Sequence, residues 1–233
     1  MASATEKKQV IIQHPCVFTR GSLKHILTHS SKASPATVVA SVATLADCDR
    51  PLQRFPDTHL IILNLQNRDA TADISLSHRI SHLREHYPRC RVIIIAEAFC
   101  VRLLRQYFYH VSQVCAVIAR QAPLSEFITQ INTAFFPRQY PKWRQPVRLT
   151  YQERMILTLL LRGRSNNAIA DYLCLSNKTI SYHKRSVMNK LGFLAPPEGA
   201  ASEDDSPTQF FNHAIVHLSF VLAAMACDEK NMS

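Results

Sequence analysis

Residues Ser165–Gly192 read SNNAIADYLCLSNKTISYHKRSVMNKLG. The stretch holds two short helical patterns joined by a tight turn. Ser165 opens the first, with Ile169 and Leu173 on its apolar side. Ser176 caps the second and Gly192 stops it, because a short hydroxyl side chain serves a helix start and glycine tolerates the left-handed stop. Only Cys174–Ser176 separate the two. Just upstream, Thr150 and Glu153 have the spacing of a capping box, Ile156, Leu157, Leu160 and Leu161 supply an apolar face, and Gly163 ends that helix. Three short helices with such connections predict a helix-turn-helix.

The second helix of the pair, Asn177–Leu191, predicts a groove-reading element. At 100° per residue, Val187 and Leu191 fall within about 20° of Ile180, which defines the buried side. Lys178, Ser181, Tyr182, Arg185 and Asn189 lie opposite, and no acid stands among them. Arg185 has the fork that matches guanine, while Ser181 and Tyr182 suit base edges or a thymine methyl. Lys178 and Thr179, near the helix start, suit phosphates, as do Ser165 and Asn166 at the start of the preceding helix. His183, Lys184 and Asn189 flank the base-reading set and are backbone-contact candidates. Across 149–195 seven cations stand against two acids, a net of +5. The bland alternative is an ordinary solvated helix face, but caps, spacing, amphipathicity and charge agree on the sharper reading.

The string LTYQERMILTLLLRGRSNNAIADYLCLSNKTISYHKRSVMNKLGF resembles the LuxR/FixJ-type DNA-binding domain throughout. The matches are Leu149-Thr150, Glu153, Gly163, Ser165-Asn166, Ile169-Ala170, Leu173, Ser176, Thr179-Ile180, His183 and Lys190-Leu191. The run NKTISYHKRSVMNKLG looks most like the RcsB/BglJ/RcsA subgroup of enterobacterial regulators. The resemblance implies a tetra-helical domain whose fourth helix dimerises, here in the region of Pro207–Cys227. It also implies double-stranded DNA as a partner, with a homodimer or a heterodimer of related LuxR-type regulators as the binding species.

Upstream of residue 137 the texture is different. Apolar runs at Gln9–Gln13, Thr37–Val42, His59–Leu63, Arg91–Ala96 and Val114–Ala119 read as strands buried on both faces. They alternate with helical patterns at Thr19–Ser30, Leu45–Phe55, Ile74–Tyr87, Cys100–Tyr109 and Leu124–Phe136. Fivefold strand–helix alternation predicts an α/β flavodoxin-like sheet of order 2-1-3-4-5. The expected organisation is a receiver-like domain over 1–136, a basic Pro-containing linker over 137–148, and an all-α helix-turn-helix domain over 149–233. That last domain carries a late insertion at 195–206 and a terminal helix. The linker's four cations make it a candidate DNA-backbone arm, against the plain reading of a solvated tether.

The resemblance implies a response-regulator receiver for the N-terminal half. Receiver chemistry needs an acidic pair for Mg²⁺, a phosphoacceptor aspartate, a hydroxyl and a lysine. Gln13 and His14 stand where the acidic pair belongs, and Asn64 stands at the phosphoacceptor position. Ala96 replaces the hydroxyl and Arg120 the lysine. An amide is a poor nucleophile, so the expectation is a degenerate pseudo-receiver that works through protein contacts, with Arg120 able to hydrogen-bond toward Asn64.

The bulk properties fit. The chain has 233 residues, a formal charge of +10 and a pI near 9.5, which favours an anionic partner. Its N-terminus has no secretory core, and the longest apolar stretch, Ala214–Cys227, is too short to span a bilayer. No membrane association is expected. Seven cysteines without a C-x-x-C pair imply reduced, buried thiols in a cytoplasmic protein, and the resemblance implies a bacterial one, on the nucleoid when DNA-bound. His78, His82 and His86 share a helix face near Cys90, a spacing able to take Zn²⁺, but a polar surface is the simpler reading and no metal or cofactor is expected. No nucleotide loop or catalytic elbow occurs, so an enzyme is not expected. The predicted function is a sequence-specific, phosphorylation-independent transcription regulator. The competing reading is a protein-interaction module that modulates another regulator with only weak, non-specific DNA contact.

Overall fold

The computed structural model describes residues 7–29, 36–65, 76–135, 147–193 and 207–222. The chain divides into two compact units, Met1–Arg144 and Gln145–Ser233. Most of the expected linker, 137–146, and the expected insertion at 195–206 lie outside the described residues. So do Cys227 and the outer ends of three expected helices, Ser30, Ile74 and Phe136.

The first unit is built on five parallel strands: β1 (Lys8–Gln13), β2 (Ala36–Val42), β3 (Leu60–Asn64), β4 (Arg91–Ala96) and β5 (Val114–Ala119). Their order is β2-β1-β3-β4-β5. The unbroken apolar runs are explained by the packing, since all of β3 and nearly all of β4 and β5 are buried. Helices α1 (Val17–His29) and α5 (Leu124–Phe135) press Leu23, Leu27, Phe127 and Ile131 onto Val10, Ile12, Ile62 and Ile93. Alternate residues Ile11, Ile61, Leu63 and Ile94 face the other way and are fully covered, so both faces of the sheet are roofed.

The remaining helices are α2 (Asp49–Arg54), α3 (Leu76–His86) and α4 (Ala98–Tyr107). The helix expected over Leu45–Phe55 divides into a 3₁₀ turn, Ala46–Cys48, followed by the short α2. Pro51 is the reason. It has no N–H to return to the Asp47 carbonyl, so α-type bonding is interrupted there. Thr44 and Asp47 bond reciprocally and hold the start of the turn. The helix expected over Cys100–Tyr109 starts two residues earlier and tightens into a 3₁₀ turn at Phe108–His110.

The second unit contains α6 (Tyr151–Leu161), α7 (Asn166–Leu173), α8 (Asn177–Lys190) and α9 (Pro207–Leu222). Each of the first three begins as its sequence predicts. Thr150 and Glu153 form the full capping box, and Ser165 and Ser176 accept from Ala168 and Thr179 amides. Gly163 and Gly192 both have φ of 74°, the left-handed stops that only glycine adopts without strain. Cys174 ends α7 in the same region, at φ 52°, with the Leu175 N–H closing back on the Ala170 carbonyl. Ile156, Leu157, Leu160, Ile169, Ile180, Val187, Leu191, Phe211 and Ala214 make the core.

Two expectations need correction. Leu173 is half-buried, and Ala170 joins Ile169 on the covered side of α7 instead. Cys16 and Cys174 are exposed, whereas Cys48, Cys90, Cys100 and Cys115 are buried. Both exceptions sit at helix ends, where the chain turns at the surface. Cys16 precedes α1, and hydrogen bonds from Thr19 and Phe18 hold its thiol below the usual range. Among the described residues no helix is long and apolar enough to cross a membrane, and no group of three ligating side chains is placed to hold a metal ion. His82 and His86 stack on each other, with ring centroids 4.4 Å apart.

Candidate nucleic-acid interface

The apolar side of α8 is fully covered: Ile180, Val187 and Leu191 are buried, and Met188 joins them. The opposite side is open. Lys178, Ser181, Tyr182, Arg185 and Asn189 are all exposed, Tyr182 by 71%. A phenol left this bare is unusual for a residue whose ring gains from burial. His183 is half-buried and meets the Tyr182 ring edge-on at 5.6 Å. Thr179 is half-buried and shares a hydroxyl–hydroxyl bond of 2.8 Å with Ser176. Ser165, exposed, and Asn166, half-buried, open α7 beside this surface, and Tyr172 on α7 is also 71% exposed.

Lys184 is placed differently from the other candidates. Its Nζ donates to Asn212 Oδ1 at 2.5 Å and stands 5.8 Å from the centroid of the Phe211 ring, so α9 holds it. Burial lowers its pKa. Phe211 is fully buried and packs edge-on against Phe193 at 5.2 Å. Sequence periodicity puts Lys184 on a flank, but only the placement of α9, which packs on α6, decides which partner that flank meets.

A second linkage was not visible in the sequence. Glu153, 3% exposed, accepts from the Thr150 amide at 2.7 Å, from Ser186 Oγ at 2.6 Å and from Lys190 Nζ at 2.7 and 2.8 Å. Burial alone pushes the carboxyl pKa up. The hydrogen bonds from Lys190, Ser186 and Thr150 outweigh it and bring the value down to about 2. One carboxylate thus caps α6 and fastens the last turns of α8. The capping-box spacing marked Glu153, but nothing local in sequence marks Lys190 or Ser186 as its partners.

In the first unit the receiver positions converge at the carboxyl end of the sheet. Gln13 is fully buried; its Oε1 accepts from the Asn64 amide N–H and its Nε2 donates to the Ala43 carbonyl, both at 2.9 Å. Asn64 is 1% exposed, and among the described residues neither its Oδ1 nor its Nδ2 has a hydrogen-bond partner. The expected bond from Arg120 to Asn64 does not form. Arg120 pairs with Glu97 at 2.8 Å and donates to the Leu65 carbonyl at 3.3 Å, because a carboxylate competes for a guanidinium better than a neutral amide does. His14 is nearly buried, and its Nδ1 accepts from the Cys16 N–H. This donor set does not fit Mg²⁺: an amide, an imidazole and another amide stand where a hard cation wants carboxylates.

Comparison with known proteins matches residues 147–194 to the family of bacterial regulatory proteins described as luxR family. The transcriptional regulatory protein EntR of Citrobacter freundii is 27% identical over 187 residues, which cover 78% of this chain and 90% of that protein. The fimbriae Z protein of Salmonella typhimurium is 27% identical over 202 residues, covering 78% of this chain and 89% of the relative. Among solved structures, two RcsB dimers bound to two parallel DNAs give a TM-score of 0.59 at 18% identity, over 94% of this chain and 100% of that one. A flavodoxin-like receiver fold followed by a LuxR-type helix-turn-helix defines the class, a LuxR-type, response-regulator-like protein. Residues 147–194 thus carry a domain of the luxR-family type, and the chain is similar over most of its length to a transcriptional regulatory protein.

Proposed function

We propose that this protein is a sequence-specific regulator that binds DNA as a dimer and does not depend on aspartyl phosphorylation. Helix α8 enters the major groove, with Ser181, Tyr182 and Arg185 reading base edges. Lys178, Thr179, His183 and Asn189, with Ser165 and Asn166 at the start of α7, meet phosphates and fix the register. Lys184 takes no phosphate in this reading, since α9 engages it. The observation that carries the proposal is the open, acid-free polar face of α8 set on a fully covered apolar face.

Dimerisation falls to α9, where Val216 is 54% exposed beside the buried Phe211, Ala214 and Ile215. The solved RcsB dimers on DNA support a two-fold assembly, and the partner is a second copy or a related LuxR-type regulator. Such a protein works on the bacterial nucleoid, in the cytoplasm.

Phosphorylation independence follows from Asn64, whose amide is a far weaker nucleophile than a carboxylate, and from the missing acidic pair. The test is incubation of the full chain with acetyl phosphate and Mg²⁺, read by intact mass and by DNA affinity. Both remain unchanged in this reading. A phosphoryl adduct on the first unit, or an affinity that rises with the phosphodonor, contradicts it.

A further inference from the structure

Helix α1 is held to the sheet by Leu23 and Leu27, both buried. At 100° per residue, with Leu23 at zero, Leu27 falls at about 40°, and His25 and His29 fall at about 200° and 240°. Both histidines therefore lie on the far side of the helix, and both are exposed. Four residues apart, they stand on consecutive turns. Their rings are stacked, with centroids 4.2 Å apart and planes 27° from parallel.

A hydrogen bond fixes the chemistry of the pair. His29 Nδ1 lies 3.0 Å from the His25 carbonyl oxygen. A carbonyl can only accept, so the hydrogen sits on Nδ1 and the lone pair of the neutral ring is on Nε2. That is the tautomer that ligates metals, whose imidazoles nearly always give their other N–H to a carbonyl or a carboxylate.

The same side has room. A helical side chain leans toward the turn before it, and for His25 that turn carries Gly21, where an added Cβ would meet nothing within 4 Å. Helix α1 contains no acid. Its donors are imidazole nitrogens, which suit borderline transition ions and not hard cations. On α3, His82 and His86 repeat the spacing and the stacking, and His86 Nδ1 lies 3.1 Å from the His82 carbonyl oxygen. There, however, His82 is half-buried and its ring meets Tyr87 at 6.1 Å, so the α1 pair is the more open of the two.

We propose that His25 and His29 bind one divalent ion of the imidazole-preferring class, Cu²⁺, Ni²⁺ or Zn²⁺, through their Nε2 atoms. Two protein ligands define the site, and water completes the coordination. Neighbouring nitrogens at about 2.0–2.1 Å from one ion stand about 3 Å apart, a spacing that stacked rings reach by small rotations of exposed side chains. Both ligands ride on one helix that Leu23 and Leu27 pin down, so binding orders little further chain. Cu²⁺ binds most tightly of the three, and Mg²⁺ does not bind. The site belongs to the first unit and does not rest on the DNA-binding reading.

The experiment is titration of the full chain with the chlorides of Zn²⁺, Cu²⁺ and Mg²⁺, read on the His25 and His29 ring signals by carbon–proton NMR. Zn²⁺ should shift both sets of signals together and saturably, with one affinity. Cu²⁺ should broaden them at lower concentration, and Mg²⁺ should leave them unmoved. His25→Ala and His29→Ala should each weaken Zn²⁺ at the remaining ring by at least about tenfold, since each removes a ligand outright. His86→Ala, on α3, should leave the response of the α1 rings unchanged. All three side chains are exposed, and circular dichroism checks that each variant folds. The proposal is overturned if Zn²⁺ leaves the α1 ring signals unmoved or if Mg²⁺ shifts them equally. It is also overturned if removing one histidine leaves the affinity of the other unchanged, which is what two independent surface rings would give.

Discussion

The buried carboxylate of Glu153 in the first turn of α6 and the partly exposed Lys190 in the last turn of α8 form an ion pair, with Nζ 2.7 and 2.8 Å from the two carboxylate oxygens. The pair ties the start of the helix-turn-helix unit to the end of its groove-facing helix. Removing one partner leaves the other without compensation, which costs more than the pair itself contributes.

Glu153→Gln is therefore expected to destabilise the second unit by about 2–4 kcal/mol, since it leaves the Lys190 ammonium without its counter-charge even though glutamine can keep the capping box. Lys190→Met should cost less, because the Lys190 side chain is about one-third exposed and water can reach the Glu153 carboxylate once the ammonium is gone. Urea unfolding followed by circular dichroism compares the two. Equal, small losses would contradict the linkage.

The same carboxylate sets an acid limit. Its folded pKa of about 2 lies below the ordinary 4.5, so its contribution is fully present above pH 4.5. It is lost as the pH falls from 4.5 through 2, and amounts to on the order of 3 kcal/mol. Stability of the full chain measured across that range should fall for the wild type and fall less for Glu153→Gln.

Cys174 occupies the left-handed region at the end of α7 and is exposed, so its Cβ adds strain without packing. Cys174→Gly should relieve about 1 kcal/mol, less the entropy that glycine returns to the unfolded chain. The thermal midpoint should rise or hold; a clear drop would contradict the account.

Lys178 and Lys184 carry the same charge on the same helix but should behave differently on DNA. Lys178→Ala should reduce the salt dependence of binding by about one counterion. Lys184→Ala should leave that slope nearly unchanged, because α9 already engages the side chain. Equal slopes for the two variants would contradict the separation.

The fold was largely legible in the sequence. β4 and β5 begin and end at the residues their apolar runs indicate, because parallel strands covered on both faces leave no polar alternation to blur their limits. Helix caps were legible for the same local reason: Thr150, Ser165 and Ser176 act within three residues of themselves. The second helix was misread because Pro51 breaks the bonding pattern while its neighbours keep a helical look. The division of α8 into covered and open faces followed from periodicity. The partners of Lys184, Lys190 and Arg120 did not, since each depends on how separate elements cross, and sequence spacing says nothing about that.

The central claim is that α8 reads base sequence. Its most direct test is the affinity of the wild type, Arg185→Ala, Tyr182→Ala and Lys178→Ala for a selected site and for unrelated duplex, over a range of salt. The wild type should prefer its site by at least about 10³. Arg185→Ala and Tyr182→Ala should collapse that preference with little effect on unrelated duplex, while Lys178→Ala weakens both alike. Equal losses on both duplexes for all three variants would contradict it.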